Sequence, residues 1–402
     1  MNAAAETSSL PERRVPSGRS SLANGFVFAL KVFLGVRIGL FVLGLLSPGL
    51  FPPLDPVSVP GWPATPLPDP GWHNLFTVWE RFDALWFLRI ADQGYRASDG
   101  SAAFFPMYPL LVRFVSAVLG GRPLAASLLV SNTALLGALT FLYDLTRTEI
   151  SEGAARATVV LICAFPTAFF LFAPYSESTF LLFAVLALWA ARRDRWPLAA
   201  AAGFGAALTR NIGAVVGIAL LVEAIQRWRE DGRLPIRGGL AAFATGLGTL
   251  SYLAFWRARS GDWLAPIHQQ ANWERVFSWP WTTLVDGTKA AFRYIGNTNG
   301  PYWLIDWLIV LPVLAASVVA LTRYRWAFRV YLWGGLLAPL TFIFEGRPLM
   351  SMPRFVLPLF PAFWVMIEIL ERRRVPRWAV AAVGAAGLGL LVPLFVNWYY
   401  IF

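Results

Sequence analysis

The sequence predicts an all-α polytopic membrane protein with about 11 transmembrane helices and large outer loops bearing interfacial helices. Three observations carry this. Of 402 residues, 57% are hydrophobic and only 14% charged, whereas an ordinary soluble domain has about a quarter charged residues. Apolar runs recur along the whole chain. Lys and Arg are distributed unevenly between the connections, as the charge bias of cytoplasmic loops requires. The net charge of +11 is therefore read as topogenic, and no nucleic-acid partner is expected.

Taken in order, residues 1–22 are a polar tail with Arg13, Arg14 and Arg19, expected in the cytoplasm. Residues 23–402 are read as one transmembrane domain. The first apolar stretch, 26–47, is too long for a signal-peptide core and has no clear cleavage site, so it is expected to stay as a helix. A first outer loop covers 48–103. Segment 104–120 holds Pro106, Pro109 and Arg113. It is read as re-entrant or interfacial, because counting it as a span reverses the charge pattern of everything after it. Further spans are expected at 123–146, 156–172, 177–193, 197–209, 212–227, 235–256, 303–322, 326–344, 354–370 and 377–396, with a second large outer loop at 257–302. This arrangement puts 19 of the 34 Lys and Arg in the tail and in 147–156, 191–196, 226–237, 322–329 and 371–377, all cytoplasmic. The single Cys163 lies in an apolar run and excludes a disulfide within the chain. His73 and His268 are far apart, with no Cys/His metal spacing, so no metal is expected.

Charge also collects at the outer helix ends. "APYSES" supplies Tyr175, Ser176 and Glu177. "LTRNIG" supplies Arg210 and Asn211, and "APIHQQANWERVF" supplies His268, Gln269, Gln270, Trp273 and Arg275. "EGRPLMSMPRF" supplies Glu345, Arg347 and Arg354. Ionisable groups at membrane depth are costly and are usually paired or functional. Arg210 sits between two short apolar runs, where a central Arg disfavours insertion by roughly 2.5–3.5 kcal/mol. Arg354 follows Pro353 at a helix start, where a cation opposes the helix dipole unless an anion lies nearby. Bland alternatives stand beside these. Glu177 fits a first-turn carboxylate that favours the dipole, His268 a structural histidine, and the outer aromatics a membrane belt. Asp144, near an inner end, is read as structural.

The stretch "WERFDALWFLRIADQGY" (79–95) places Phe82, Trp86 and Ile90 near helical spacing. It is expected to be a helix lying in the outer interface with its aromatic side in the membrane. Asp83 falls in its first turn beside these aromatics, and suits a general base facing a lipid-borne substrate.

These segments resemble a known family. "FDALWFLRIADQGY", "AFFPMYPLLVR", "FPTAFFLFAPYSESTFLLF", "AALTRNIGAVV", "QANWER" and "MPRFVLPLFPAF" follow one another as in the PIG-V family, integral-membrane mannosyltransferases of the GT-C glycosyltransferase superfamily. The block order spans about residues 79–363. "RFD" departs from the family, which more often has Trp before the Asp; Phe82 keeps an aromatic there. High Ala, Arg and Gly usage points to a bacterial member.

The resemblance implies a GT-C-type bundle, mannose carried on a polyprenyl or dolichyl phosphate as donor, and a catalytic acid in the first outer loop, matched by Asp83. Phosphate is a good leaving group, so one carboxylate that deprotonates the acceptor hydroxyl suffices, and a single displacement inverts the sugar. Arg210 and Arg354 are the candidates for stabilising the departing phosphate, with Arg81 a lesser one. Arg81, Tyr175, Glu177, Asn211, His268, Gln269 and Trp273 are candidates for the substrate pocket. No separate cofactor is expected. The expected partners are membrane lipids, the polyprenyl-phosphate sugar and a glycan or glycolipid acceptor, and nothing in the sequence demands an accessory subunit. The expected location is the bacterial plasma membrane, with the site on the extracytoplasmic face. The alternative is a transporter or flippase for a lipid-linked sugar, which also uses broken helices and buried charge.

Overall fold

The structure, a computed structural model, describes residues 18–62, 71–232, 236–297 and 300–401. Residues 1–17 of the expected cytoplasmic tail lie outside the described residues. The described helices are, in chain order, α1 (Gly18–Leu50), α2 (Asn74–Thr77), α3 (Asp83–Gln93), α4 (Met107–Val118), α5 (Pro123–Glu149), α6 (Glu152–Cys163), α7 (Phe169–Phe172), α8 (Glu177–Arg192) and α9 (Trp196–Thr209). They continue as α10 (Gly213–Asp231), α11 (Ile236–Ser260), α12 (Ala265–His268), α13 (Pro280–Arg293), α14 (Gly300–Ala320), α15 (Trp326–Leu337), α16 (Met352–Phe355), α17 (Phe360–Arg372) and α18 (Arg377–Val396). One short antiparallel pair, β1 (Arg275–Phe277) with β2 (Phe342–Phe344), ties the second large outer loop to the segment after α15.

The protein is a multi-pass helical membrane protein. Five described helices, starting at Ser21, Pro123, Ile236, Tyr302 and Arg377, are long and apolar enough to cross a membrane. Shorter helices fill the remaining expected spans, and two of those spans are broken. Pro166 lies between α6 and α7, and Pro358 between α16 and α17. Proline interrupts a helix because it lacks the N–H and its ring clashes with the preceding turn.

The span expected at 326–344 needs correction. Its helix stops at Leu337, and Phe342–Phe344 forms β2. Pro339 ends the helical run, and the backbone groups beyond it are satisfied by β1: Phe277 faces Phe342 and Arg275 faces Phe344. Segment 104–120 contains the short α4, whose Leu110, Phe114 and Val118 remain exposed.

The hairpins α8–α9 and α9–α10 set the two ends of the molecule. Glu177 opens the 16-residue helix α8 and Arg192 closes it, about 22 Å along the axis at 1.5 Å per residue. α9 returns, so Arg210 comes back to the level of Glu177. α9 packs closely on α11 and α10 through small residues, as helices in a bilayer do when their backbones approach. Gly213 shows the limit: a Cβ there would sit 2.1 Å from the carbonyl oxygen of Ala206. The Gly of "TRNIG" thus lets the chain reverse tightly after Arg210.

The far end carries its own charge network. Arg192 bonds Glu149 (2.6 Å) and Glu223 (2.8 Å). Arg325 bonds Glu223 (3.1 Å) and Glu230 (3.0 Å). Asp144 accepts hydrogen bonds from Ser21, Trp189 and Arg193, a structural cluster that ties α1, α5 and α8 together.

Candidate active site

At the opposite end, a cavity of about 450 Å³ opens between α3, the starts of α8 and α10, α11 and the segment from Ala338 to Phe355. Asp83, Glu177, Arg210, Arg275 and Arg354 are its charged lining. They come from positions spread over nearly 300 residues, and different physics places each one.

Asp83 is the first residue of α3. Phe82 before it has φ 53° and ψ −119°, a conformation that a bulky side chain holds only when its surroundings impose it. Those surroundings are the rings of Phe395, Trp398 and Tyr400, 5.7, 5.3 and 5.2 Å from that of Phe82. The C-terminal segment therefore fixes the direction in which Asp83 leaves the chain. Its carboxylate is 27% exposed.

α3 does not rest its aromatic side in the membrane, contrary to the sequence expectation. Trp86, Phe87 and Ile90 are all buried. Trp86 stacks on Phe104 at 5.4 Å and meets Trp273 edge-on at 5.2 Å. Phe87 packs against Phe104 and Tyr108. The aromatic residues of the "FFPMYP" segment supply the apolar surroundings that lipid was expected to supply. Arg89 is buried as well and pairs with Asp99.

Glu177 opens α8 and is 1% exposed. Arg210 Nη1 donates to Glu177 Oε1 at 2.6 Å and to Ser176 Oγ at 3.2 Å. Arg354, on the one-turn helix α16, donates through Nη1 to Asp83 Oδ2 at 2.7 Å, and its Nε lies 3.1 Å from Glu177 Oε1. Glu177 Oε2 is buried without a hydrogen-bond partner. Arg354 is thus the bridge between both carboxylates, while its guanidinium rests near the rings of Phe170, Tyr175 and Phe355.

The remaining expected residues divide into two groups. Tyr175, Asn211 and Trp273 line the cavity. Tyr175 donates to the carbonyl of Arg81 (2.9 Å), which ties the α8 start to the chain entering Phe82. Arg81, His268 and Gln269 stand off the cavity. Arg81 is 1% exposed, donates to the carbonyls of Val396, Glu80 and Thr77 (2.8–3.1 Å) and lies over the Trp398 ring. Those bonds use it to dock the C-terminal segment, so its sequence assignment to the pocket is corrected. His268 is exposed and its Nδ1 is 2.8 Å from Asp262 Oδ2. Gln269 is spent on the backbone of Ala97 and Ala102.

The structure adds residues that sequence reasoning missed. Arg275, met in the sequence only as an outer-loop charge, enters the cavity from β1. Ser351, Phe355 and Tyr400 also line it. The one sequence signal for Tyr400 is its place in the aromatic "NWYYIF" terminus. Among the described residues, no three His, Cys, Asp or Glu side chains are grouped as a metal site needs.

A polytopic helical bundle with two carboxylates and three guanidinium groups around a cavity at one end defines a membrane protein with a charged, partly enclosed site. The particular kind comes from the sequence: residues 64–216 match the family described as Mannosyltransferase (PIG-V), which supports a membrane glycosyltransferase. The matched stretch contains Asp83, Glu177 and Arg210. No curated protein matches the sequence. Among solved structures, the chain is similar to ArnT from Cupriavidus metallidurans bound to undecaprenyl phosphate, at 14% identity over 92% of this chain and 77% of that one, with a TM-score of 0.49. It is also similar to the Archaeoglobus fulgidus oligosaccharyltransferase in complex with Zn and sulfate, at 12% identity over 90% of this chain and 53% of that one, with a TM-score of 0.43. It spans about half the length of that archaeal protein.

Proposed function

We propose that the protein is a GT-C-type enzyme that moves mannose from a polyprenyl-phosphate-mannose donor to a hydroxyl of a lipid-linked or glycan acceptor, with Asp83 as general base. The observation that supports this best is the Arg354 bridge. It holds the Asp83 carboxylate at the edge of a cavity that is also lined by Glu177, three guanidinium groups and several aromatic rings. Asp83 takes the acceptor proton, and the acceptor oxygen bonds to C1 of the mannose from the face opposite the phosphate. The C1–O bond to phosphate breaks, and polyprenyl phosphate leaves with the electron pair. One displacement inverts the anomeric centre. Arg210 and Arg354 face the charge that grows on the leaving phosphate, which preorganised donors stabilise more in the transition state than in the ground state. Tyr175, Asn211 and Trp273 border the space for sugar and acceptor.

In this reading residues 23–402 act as one transmembrane domain, the tail is cytoplasmic, and the site faces the extracytoplasmic side of a plasma membrane. The loop charge supports that orientation, because the basic connections sit at the end away from the cavity.

The test is purified protein offered a panel of polyprenyl-phosphate sugars and membrane lipid extracts, scored for new glycosylated products. Mannosyl transfer by the wild type and its loss in Asp83→Asn, with folding retained, is the expected result. Near-normal turnover in Asp83→Asn removes the base assignment, and transfer of another sugar in preference to mannose removes the donor assignment.

A further inference from the structure

Three guanidinium groups and two carboxylates line the cavity, so its walls carry one positive charge in excess. The pairing shows where the excess sits. Arg210 is committed to Glu177, and Arg354 to Asp83 and Glu177. Arg275 lines the same cavity and, among the described residues, forms no ion pair. Its Nη1 donates to the carbonyl of Phe342 (3.0 Å) and its Nη2 to Ser351 Oγ (3.2 Å). Two anchors at one edge of a planar five-donor group fix its orientation and leave donors over.

The fold builds this orientation deliberately far from the charge itself. β1 pairs with β2 through Arg275 and Phe344. Ser351 takes a left-handed backbone, φ 68°, at the entry to α16, and this brings its hydroxyl to Arg275. The same segment carries Arg354 three residues on. Arg81 also lacks a carboxylate partner, but it ends on carbonyls away from the cavity. Among the described residues, Arg275 alone joins the absence of a carboxylate partner with a place on the cavity wall.

We propose that Arg275 anchors an anion site in the cavity that takes a phosphate group, beside Arg210 and Arg354, which also hold the carboxylates. An anion that bonds Arg210 or Arg354 shares a cation that already faces the Glu177 or Asp83 carboxylate. One that bonds Arg275 breaks no ion pair, and it neutralises a cation that is costly to keep desolvated and unpaired. Burial pushes the Arg275 guanidinium down to about 10, and the neighbouring Arg354 cation acts in the same direction, as expected for a cation short of negative charge. A rigid fork also suits the planar, bidentate recognition of phosphate oxygens. That the phosphate is borne by a lipid rests on the proposed donor; the anion site does not.

The test uses the full chain in phosphatidylcholine nanodiscs and measures binding of polyprenyl phosphate, of the uncharged polyprenol, and of inorganic phosphate as competitor. Arg275→Met keeps the stem and removes the charge. It is expected to weaken polyprenyl phosphate at least tenfold and to leave polyprenol unchanged. Arg275→Lys keeps a charge without the fork and is expected to fall between the two. Asp83→Asn is expected to bind polyprenyl phosphate at least as tightly as the wild type. Size-exclusion profile and melting temperature check that each variant is folded. Should Arg275→Met unfold, the proposal rests on Arg275→Lys, where wild-type affinity for both ligands overturns it. Unchanged affinity in folded Arg275→Met, or an equal loss for polyprenol, overturns the anion site. Displacement of polyprenyl phosphate by an equal concentration of inorganic phosphate overturns the lipid source. The two proposals fail separately. Arg275-dependent phosphate binding without transfer from any donor leaves the anion site and removes the transfer reaction. Normal transfer with unchanged binding in Arg275→Met does the reverse.

Discussion

Arg354 joins the two carboxylates of the cavity: its Nη1 donates to Asp83 Oδ2 at 2.7 Å, and its Nε lies 3.1 Å from Glu177 Oε1. Removing this cation leaves two carboxylates facing each other's field in a poorly solvated place. Arg354→Met is therefore expected to destabilise the fold by about 3–5 kcal/mol, the range for breaking a buried pair, and to reduce transfer at least about a hundredfold. Thermal melting and turnover measure the two effects. A variant that melts with the wild type shows that the bridge is not structural.

Asp83→Asn keeps the shape of the side chain and one hydrogen-bond acceptor for Arg354, but it cannot take a proton. Transfer is expected to fall about 10²–10⁴-fold, the usual contribution of a general base, with little change in the apparent affinity for donor. Single-turnover kinetics separate the two quantities. A loss confined to donor affinity would falsify the base assignment.

Glu177 and Arg210 are in direct contact at 2.6 Å, with Glu177 1% exposed. Their effects should not add. In a double-mutant cycle of Glu177→Gln and Arg210→Met, the stability coupling is expected at about 0.5–3 kcal/mol, as for residues in one ion-pair network. Additive losses show that each residue acts independently.

Arg347 bonds both oxygens of Asp306, at 2.6 and 2.8 Å, and also donates to the carbonyls of Tyr302, Tyr400 and Ile401. This buried pair holds the C-terminal segment, and that segment packs on Phe82. Asp306→Asn should lower stability by about 3–5 kcal/mol and reduce turnover, although Asp306 is not in the cavity lining. Melting and transfer assays on the same sample check this, and loss of neither removes the proposed support of Phe82.

His268 points to Asp262 at the exposed surface. His268→Ala is expected to leave transfer within about twofold of wild type, since exposed ion pairs contribute at most about 1 kcal/mol. A large loss of turnover returns His268 to the list of functional residues.

Much of this organisation is legible in the sequence because it depends on local pattern. The long apolar runs became helices, and the uneven Arg distribution matched one end of the bundle. Asp83, Glu177 and Arg210 stand out because each is a charge at the end of an apolar run, a costly position that invites explanation. The misreadings have a common cause. The Phe82, Trp86 and Ile90 spacing describes an apolar face but does not say whether lipid or protein covers it, and Phe104, Tyr108 and Trp273 proved to be the cover. Arg81 and His268 carry the same charge signal as Arg210, yet their side chains turn to Val396 and Asp262 instead.

The sequence by itself determined the membrane class, the helix-rich course of the chain, the basic and acidic helix ends, and the break between two apolar runs at Arg210. Hydropathy and backbone sterics act over a few residues, so a linear pattern records them. Only the tertiary structure decided which charges meet. It put Arg354 between Asp83 and Glu177, left Arg275 without a carboxylate, and held Phe82 in its strained conformation against the C-terminal aromatics. Ion pairing and ring packing act across space between residues up to about 300 positions apart, and no short-range pattern in the chain encodes that distance.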